Sequence, residues 1–195
     1  MFTGIIEELG IVKAIKKEKG NLLITIKAGM TRELKLNESV AHNGACLSVI
    51  PDSKKHYKVM AVQETLNRTN LKHLKEGDEI NLERSLKANG RIDGHFVLGH
   101  IDATVKCTSV KKLAGSHVFT FSCDPKERKY IVEKGSIALN GVSLTIASLT
   151  SKDFSVAIIP YTFKHTVFHN LKAGDEVNVE YDVLGKYVLG NPIKK

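Results

Sequence analysis

Apolar and polar residues alternate along this chain in short runs, and the runs come in two similar sets. In the second half they read IDATVKCTSV, HVFTFSC, SIALNG, VSLTIASL, FSVAIIP and EVNVEYD. A period of two places every other side chain on one face of an extended backbone, so each run predicts a half-buried strand. Asn43-Gly44 and Asn140-Gly141 separate the third run from the fourth in each set. That dipeptide suits the left-handed backbone of a two-residue hairpin. Gly77-Asp78 and Gly174-Asp175 read as the start of a last, hairpin-like return. Between the fifth and sixth runs, ETLNRTNL and PYTFKHTVF each predict one short helix, the second started by Pro160.

The two sets are copies. Residues 39–83 match residues 136–180 at a constant offset of 97, with about a third of the pairs identical. Thr65 falls on Thr162, Thr69 on Thr166, and LKEGDEINLE on LKAGDEVNVE. Upstream, TGIIEELGIV aligns with LGHIDATVKC at an offset of 95, which pairs Gly4 with Gly99. Six short antiparallel strands would leave two open edges as a flat sheet, and closure removes them. The expected fold is therefore all-β, two similar six-stranded Greek-key β-barrels. The expected domains are residues 1–92, residues 93–185 and a short tail, 186–195. The polar stretch LKANGRID at 86–93 suits a linker. The tail has room for a turn or two of helix before Gly190, Asn191 and Pro192.

Composition narrows the function. Among 195 residues no apolar run approaches the roughly 18 that a membrane span needs, and Glu7 and Glu8 come too early for a signal peptide. A cytoplasmic protein is expected. Cys46, Cys107 and Cys123 are odd in number and lack C-x-x-C spacing, which argues against disulfides and structural zinc. The net charge of +8 comes from scattered lysines and arginines with no basic stripe among aromatics, so nucleic acid is not the expected partner.

Three positions differ between the copies in a chemically telling way. Cys46 falls on Ser143, His100 on Ile5, and Lys134 on Asn37. Two related pockets with different polar equipment suit two bound molecules in different roles. Each residue also has an ordinary reading: a strand cysteine is often a small buried hydrophobe, and Lys134 sits in a turn. His95 and His100, five apart along a strand, would point to opposite faces, which argues against a shared metal. Neither a nucleotide-binding glycine loop nor a Ser-His-Asp pattern is present.

MFTGII, SVAHNGACLSV, GHFVLGHID and LNGVSLTI, in this order over residues 1 to about 187, closely resemble the riboflavin synthase family of alpha-chain type. The resemblance implies a transferase that dismutates two 6,7-dimethyl-8-ribityllumazine molecules into riboflavin and 5-amino-6-ribitylamino-uracil. A four-carbon unit passes between them without a cofactor or metal. It implies one lumazine per barrel and a site formed where the first barrel of one subunit meets the second barrel of another. Carried over by motif, the first pocket takes Gly4, Ile5, Ile6, Cys46, Leu47, Ser48, Met60, Ala61, Val62, Gln63, Glu64 and Thr65. The second takes Gly99, His100, Ile101, Lys134, Ser143, Leu144, Thr145, Ile158, Ile159, Pro160, Tyr161, Thr162 and Phe163.

The lumazine C7 methyl is acidic because its anion delocalises into the ring, and histidine is the side chain suited to take such a proton. His100 is the expected base, or the group that positions it; either water or the Cys46 thiolate primes the other lumazine, with Cys46 the expected activator. Ser48, Ser143 and Thr145 offer hydroxyls to the ribityl chain or the ring. Bringing the two rings into stacked register should itself supply much of the rate. The family's long C-terminal helix, which holds a trimer, is nearly missing here, so a weak homotrimer is expected. Association with a lumazine synthase shell is a further expected partnership. Bioluminescence antenna proteins share this fold and bind lumazine or flavin without catalysis. They lack the residues equivalent to Cys46 and His100.

Overall fold

In a computed structural model that describes residues 1–189, the alternating runs form two closed antiparallel barrels. The first contains β1 (Glu8–Glu18), β2 (Asn21–Lys27), β3 (Ser39–His42), β4 (Ala45–Pro51), β5 (His56–Ala61) and β6 (Glu79–Arg84). The second contains β7 (Ala103–Lys112), β8 (His117–Ser122), β9 (Ser136–Leu139), β10 (Val142–Leu149), β11 (Asp153–Ile158) and β12 (Glu176–Tyr181). Both close in the same order, β1-β2-β5-β4-β3-β6 and β7-β8-β11-β10-β9-β12. Alternation decides what each strand buries: in β2, Leu22, Ile24 and Ile26 face the core while Asn21, Leu23 and Thr25 are half-exposed.

The final strand of each half is not a hairpin return, which corrects the sequence-based reading of Gly77 and Gly174. Both glycines are left-handed and turn the chain, but β6 pairs with β1 and β3, and β12 with β7 and β9. The fifth strand already has neighbours on both edges, so the free edges belong to the first and third strands. Filling that gap closes the barrel. The Asn-Gly hairpins do form, with Asn43 and Asn140 at φ 45 and 46.

Each expected helix is a helix followed by a 3₁₀ turn. Helix α1 (Gln63–Arg68) precedes the turn Asn70–His73, and α2 (Pro160–His165) precedes Val167–His169. Extended Thr69 and Thr166 break the helices, and their hydroxyls cap the turns by accepting from the amides of Leu71 and Phe168. A last helix, α3 (Val183–Leu189), follows β12. Residues 190–195 of the expected tail, with Gly190, Asn191 and Pro192, lie outside the described residues.

The first core is aliphatic around Tyr57, whereas the second carries Phe119, Phe121, Phe154 and Phe168. Between them lies a small cluster of Phe2, Ala41, Val97 and Ala138. The halves meet about a local twofold axis marked by buried asparagines. Asn81 donates its amide to Asn43 Oδ1 and its Nδ2 to the Asn140 carbonyl, and Asn178 repeats both bonds toward Asn140 and Asn43. Buried carboxamides are costly unless partnered, so this network fixes how the barrels dock. The linker at 86–93 is irregular and largely exposed.

Candidate functional site

The segment that precedes each barrel packs against the other one. Phe2 and Val97 form an antiparallel bridge, with N–H to O distances of 2.6 and 3.1 Å. Beyond it, the Gly4 carbonyl accepts from the Ser143 amide at 2.8 Å, and the Gly99 carbonyl accepts from the Cys46 amide at 2.9 Å. Ile6 packs on the second core and Ile101 belongs to the first. This corrects the grouping read from the sequence: residues 4–6 stand beside Ser143, and residues 99–101 beside Cys46. Glycine is required at both crossings. Gly99 has φ +82, and a Cβ there would lie 2.5 Å from the Cys46 Cβ; Gly4 has φ +78, and its Cβ would lie 2.6 Å from that of Ser143.

Two buried carboxylates hold the crossing segments. Glu180 accepts from the amides of Leu98, Gly99 and His100, at 2.7, 2.9 and 3.1 Å. Glu83 does the same for the Thr3 amide and hydroxyl and the Gly4 amide. Burial pushes both carboxyls above their ordinary pKa, and the N–H donors offset part of that shift. These two residues were missed in the sequence. An acid does repeat at the end of NLE and NVE, but alternation with Ile80 and Leu82, or with Val177 and Val179, assigns it to the outward face, and its burial comes from the crossing segment packed there.

The crossing at residues 98–102 forms, with the first barrel, a pocket of about 650 Å³ walled by Cys46, Glu64, Thr65, Gly99, His100 and Ile101. Arg68, Asp102, Val183, Lys186 and Tyr187 are among its other lining residues, none of them foreseen in the sequence. Cys46 is half-buried, whereas Cys107 and Cys123 are buried, and burial pushes the Cys107 thiol up to about 11. Of the three thiols, Cys46 is therefore the one positioned for chemistry. His100 is exposed and lines the pocket, with its amide on Glu180 and no ring hydrogen bond among the described residues.

Ser143, the counterpart of Cys46, has a different neighbour. His95 Nδ1 lies 2.7 Å from its hydroxyl, and the His95 amide donates to the Thr3 carbonyl. His95 is 8% exposed, its Nε2 has no hydrogen-bond partner among the described residues, and burial lowers its pKa. The strand-alternation argument applied to His95 and His100 fails, because both lie in the irregular segment before β7. His100 lines the pocket beside Cys46, whereas His95 is bonded to Ser143. Among the described residues no cluster of His, Cys, Asp or Glu is arranged for a metal ion, and no helix is long and apolar enough to cross a membrane.

The remaining residues named from the sequence divide by burial. Leu47, Ala61 and Ile158 are core residues, Met60 is half-buried on β5, and Leu144 packs against the second core. The Phe163 ring stacks on His117 with centroids 3.7 Å apart, so it supports the barrel wall. Ile5, Val62, Ile159 and Tyr161 are exposed apolar residues; Ser48, Gln63, Thr145 and Pro160 are exposed, and Thr162 is half-buried. Lys134 is an exposed turn residue at φ 67, a conformation that Asn37 shares at φ 66, and its amide donates to the Ile146 carbonyl.

Comparison with known proteins agrees with this geometry. The lumazine binding domain matches twice, over residues 3–85 and 98–182. The riboflavin synthase of Bacillus amyloliquefaciens is 41% identical over 189 residues, covering 96% of this chain and 88% of that one. Those of Actinobacillus pleuropneumoniae and Schizosaccharomyces pombe are each 40% identical, covering 100% and 96% of this chain and 91% of their own. Among solved structures, LumP complexed with riboflavin superposes with a TM-score of 0.86 at 22% identity, over 93% of this chain and 99% of that one. At that identity the likeness concerns the fold alone.

Proposed function

The chain belongs to the riboflavin synthase family of duplicated lumazine-binding barrels, and we propose how its two unlike pockets divide the work. The reaction is the dismutation of two 6,7-dimethyl-8-ribityllumazine molecules to riboflavin and 5-amino-6-ribitylamino-uracil. The observation that carries the division is that Cys46, Thr65 and His100 line one cavity while Ser143 pairs with His95 elsewhere.

In this reading the lumazine in the first pocket is the one activated by proton loss. The His100 imidazole takes a proton from its C7 methyl, and Thr65 and Cys46 orient the ring. Cys46 stands on the same wall as His100, so the role of priming the other lumazine, expected for it from sequence, passes to Ser143. The buried His95 holds the Ser143 hydroxyl toward the second ring. Glu83 and Glu180 act through the segments they fix.

The chain works as a weak homotrimer, so that a first pocket of one subunit meets a second pocket of another. The exposed Leu184, Tyr187 and Val188 on α3 support an assembly through that helix. Three free thiols fit the cytoplasm. Association with a lumazine synthase shell is an external partnership of the same reading. Incubating the purified protein with the lumazine, without metal or nucleotide, tests the function. Riboflavin should appear, and tight binding with no riboflavin would identify a carrier instead.

A further inference from the structure

Helix α3 lines the first pocket although it follows the second barrel, and within a single chain burial does not hold it there. Of its apolar residues, Leu184 is 59% exposed and Tyr187 and Val188 are each 80% exposed. Seven residues of helix do not persist alone in water. Its contacts with the body of the protein are polar or slight: it rests on the turn Arg128–Tyr130, and Lys186 reaches Asp102. The ammonium lies 2.8 Å from one carboxylate oxygen of Asp102 and 2.6 Å from the other.

Asp102 is a fixed anchor. It follows His100 by two residues, and its Oδ2 also accepts the Tyr181 amide at 2.9 Å. Lysine is the movable half of the pair. Both side chains are 27% exposed, so the pair is partly shielded from water and salt.

The first copy shows what this arrangement adds. There Glu7 takes the place of Asp102 and accepts the Arg84 amide, as Asp102 accepts that of Tyr181. Its cation is the guanidinium of the same Arg84, on β6, which also binds Glu33. That ion pair ties β6 to the 3₁₀ turn Gly29–Glu33 of the same barrel, whereas Lys186 comes from a helix that follows the other barrel.

We propose that Lys186 is a positioning residue, whose ion pair with Asp102 latches α3 as the outer wall of the pocket containing Cys46 and His100. Resting on the riboflavin synthase reading, the latch sets how tightly the first lumazine is held. It takes no part in proton transfer.

Lys186→Met keeps the aliphatic stem and removes the charge; Lys186→Arg keeps the charge. Hydrogen exchange over residues 183–189 reads the latch directly, and lumazine titration with steady-state kinetics reads the pocket. In Lys186→Met, exchange there should accelerate, and KM and the lumazine Kd should rise about 5- to 10-fold with kcat within about 2-fold. Lys186→Arg should stay near the unaltered protein on every measure. Unchanged exchange or unchanged KM in Lys186→Met, or an arginine variant as impaired as the methionine one, overturns the proposal. If the unaltered protein binds no lumazine, the functional reading fails, and exchange alone then decides whether the latch exists.

Discussion

The backbone amide of Cys46 donates to the carbonyl of Gly99 across 2.9 Å, which locks the peptide before His100 to the strand that carries the thiol. The two side chains therefore serve one pocket, although they come from opposite halves of the chain. Groups that act on the same ligand are not additive when removed. His100→Gln and Cys46→Ser should each lower turnover by about 10²-fold, and the double variant should lose little more than the worse single one. Initial rates of riboflavin formation decide it. A loss in the double variant equal to the product of the two would place the residues in independent steps.

Glu180 receives three backbone N–H groups and has no hydrogen atoms to offer in return when ionised. A glutamine there turns an NH₂ group toward donors. Glu180→Gln should lower kcat/KM by about 10-fold or more through the segment that carries His100. The same change at Glu83 should act through the segment beside Ser143. Unaltered kinetics in both variants would mean that the crossing segments keep their place without these anchors.

Residues 1–92 contain all six strands of the first barrel, but residues 2–6 lie on the second. Expressed alone, this fragment should fold and pair with a second copy, so that the Gly4 carbonyl of each accepts the Cys46 amide of the other. Sedimentation and ligand fluorescence test this. A folded, strictly monomeric fragment that binds lumazine would show that the crossing is dispensable.

His42 is fully buried, its Nε2 2.8 Å from the Tyr57 hydroxyl, and burial pushes its pKa down to about 4. The unfolded chain takes up this proton near pH 6.5, the folded chain only near 4, so folding stability is lost as pH falls between those values. The loss should reach about 3 kcal/mol. Glu83 and Glu180, raised by burial, act in the opposite sense around the carboxylate range. Urea denaturation at a series of pH values should show the slope above pH 5. It should flatten in the double variant His42→Phe, Tyr57→Phe; an equal slope there would assign the effect elsewhere.

The duplicated strands and the Asn-Gly hairpins were legible because they depend on local alternation and turn chemistry. The exchange of residues 4–6 and 99–101 between barrels was not. An alignment pairs Gly4 with Gly99 as equivalents and is silent on which barrel either one touches. His95 was misread because strand alternation was applied to a segment without strand pairing. Lys186 and Asp102 were invisible for a related reason: they meet across 84 residues of chain, and nothing local to either names the other.

The twofold relation between the halves has a consequence for variation. In a symmetric pair of identical chains every substitution arrives twice, once on each side of the axis. A cysteine opposite one ligand would impose a cysteine opposite the other. Joining the halves through the linker at 86–93 removes that constraint while keeping the docking, since Asn43, Asn81, Asn140 and Asn178 still satisfy one another as equivalents. Position 46 is then free to be cysteine while 143 is serine, and position 100 to be histidine while 5 is isoleucine. Two chemically distinct places for two copies of one molecule are what covalent union of the repeats makes possible.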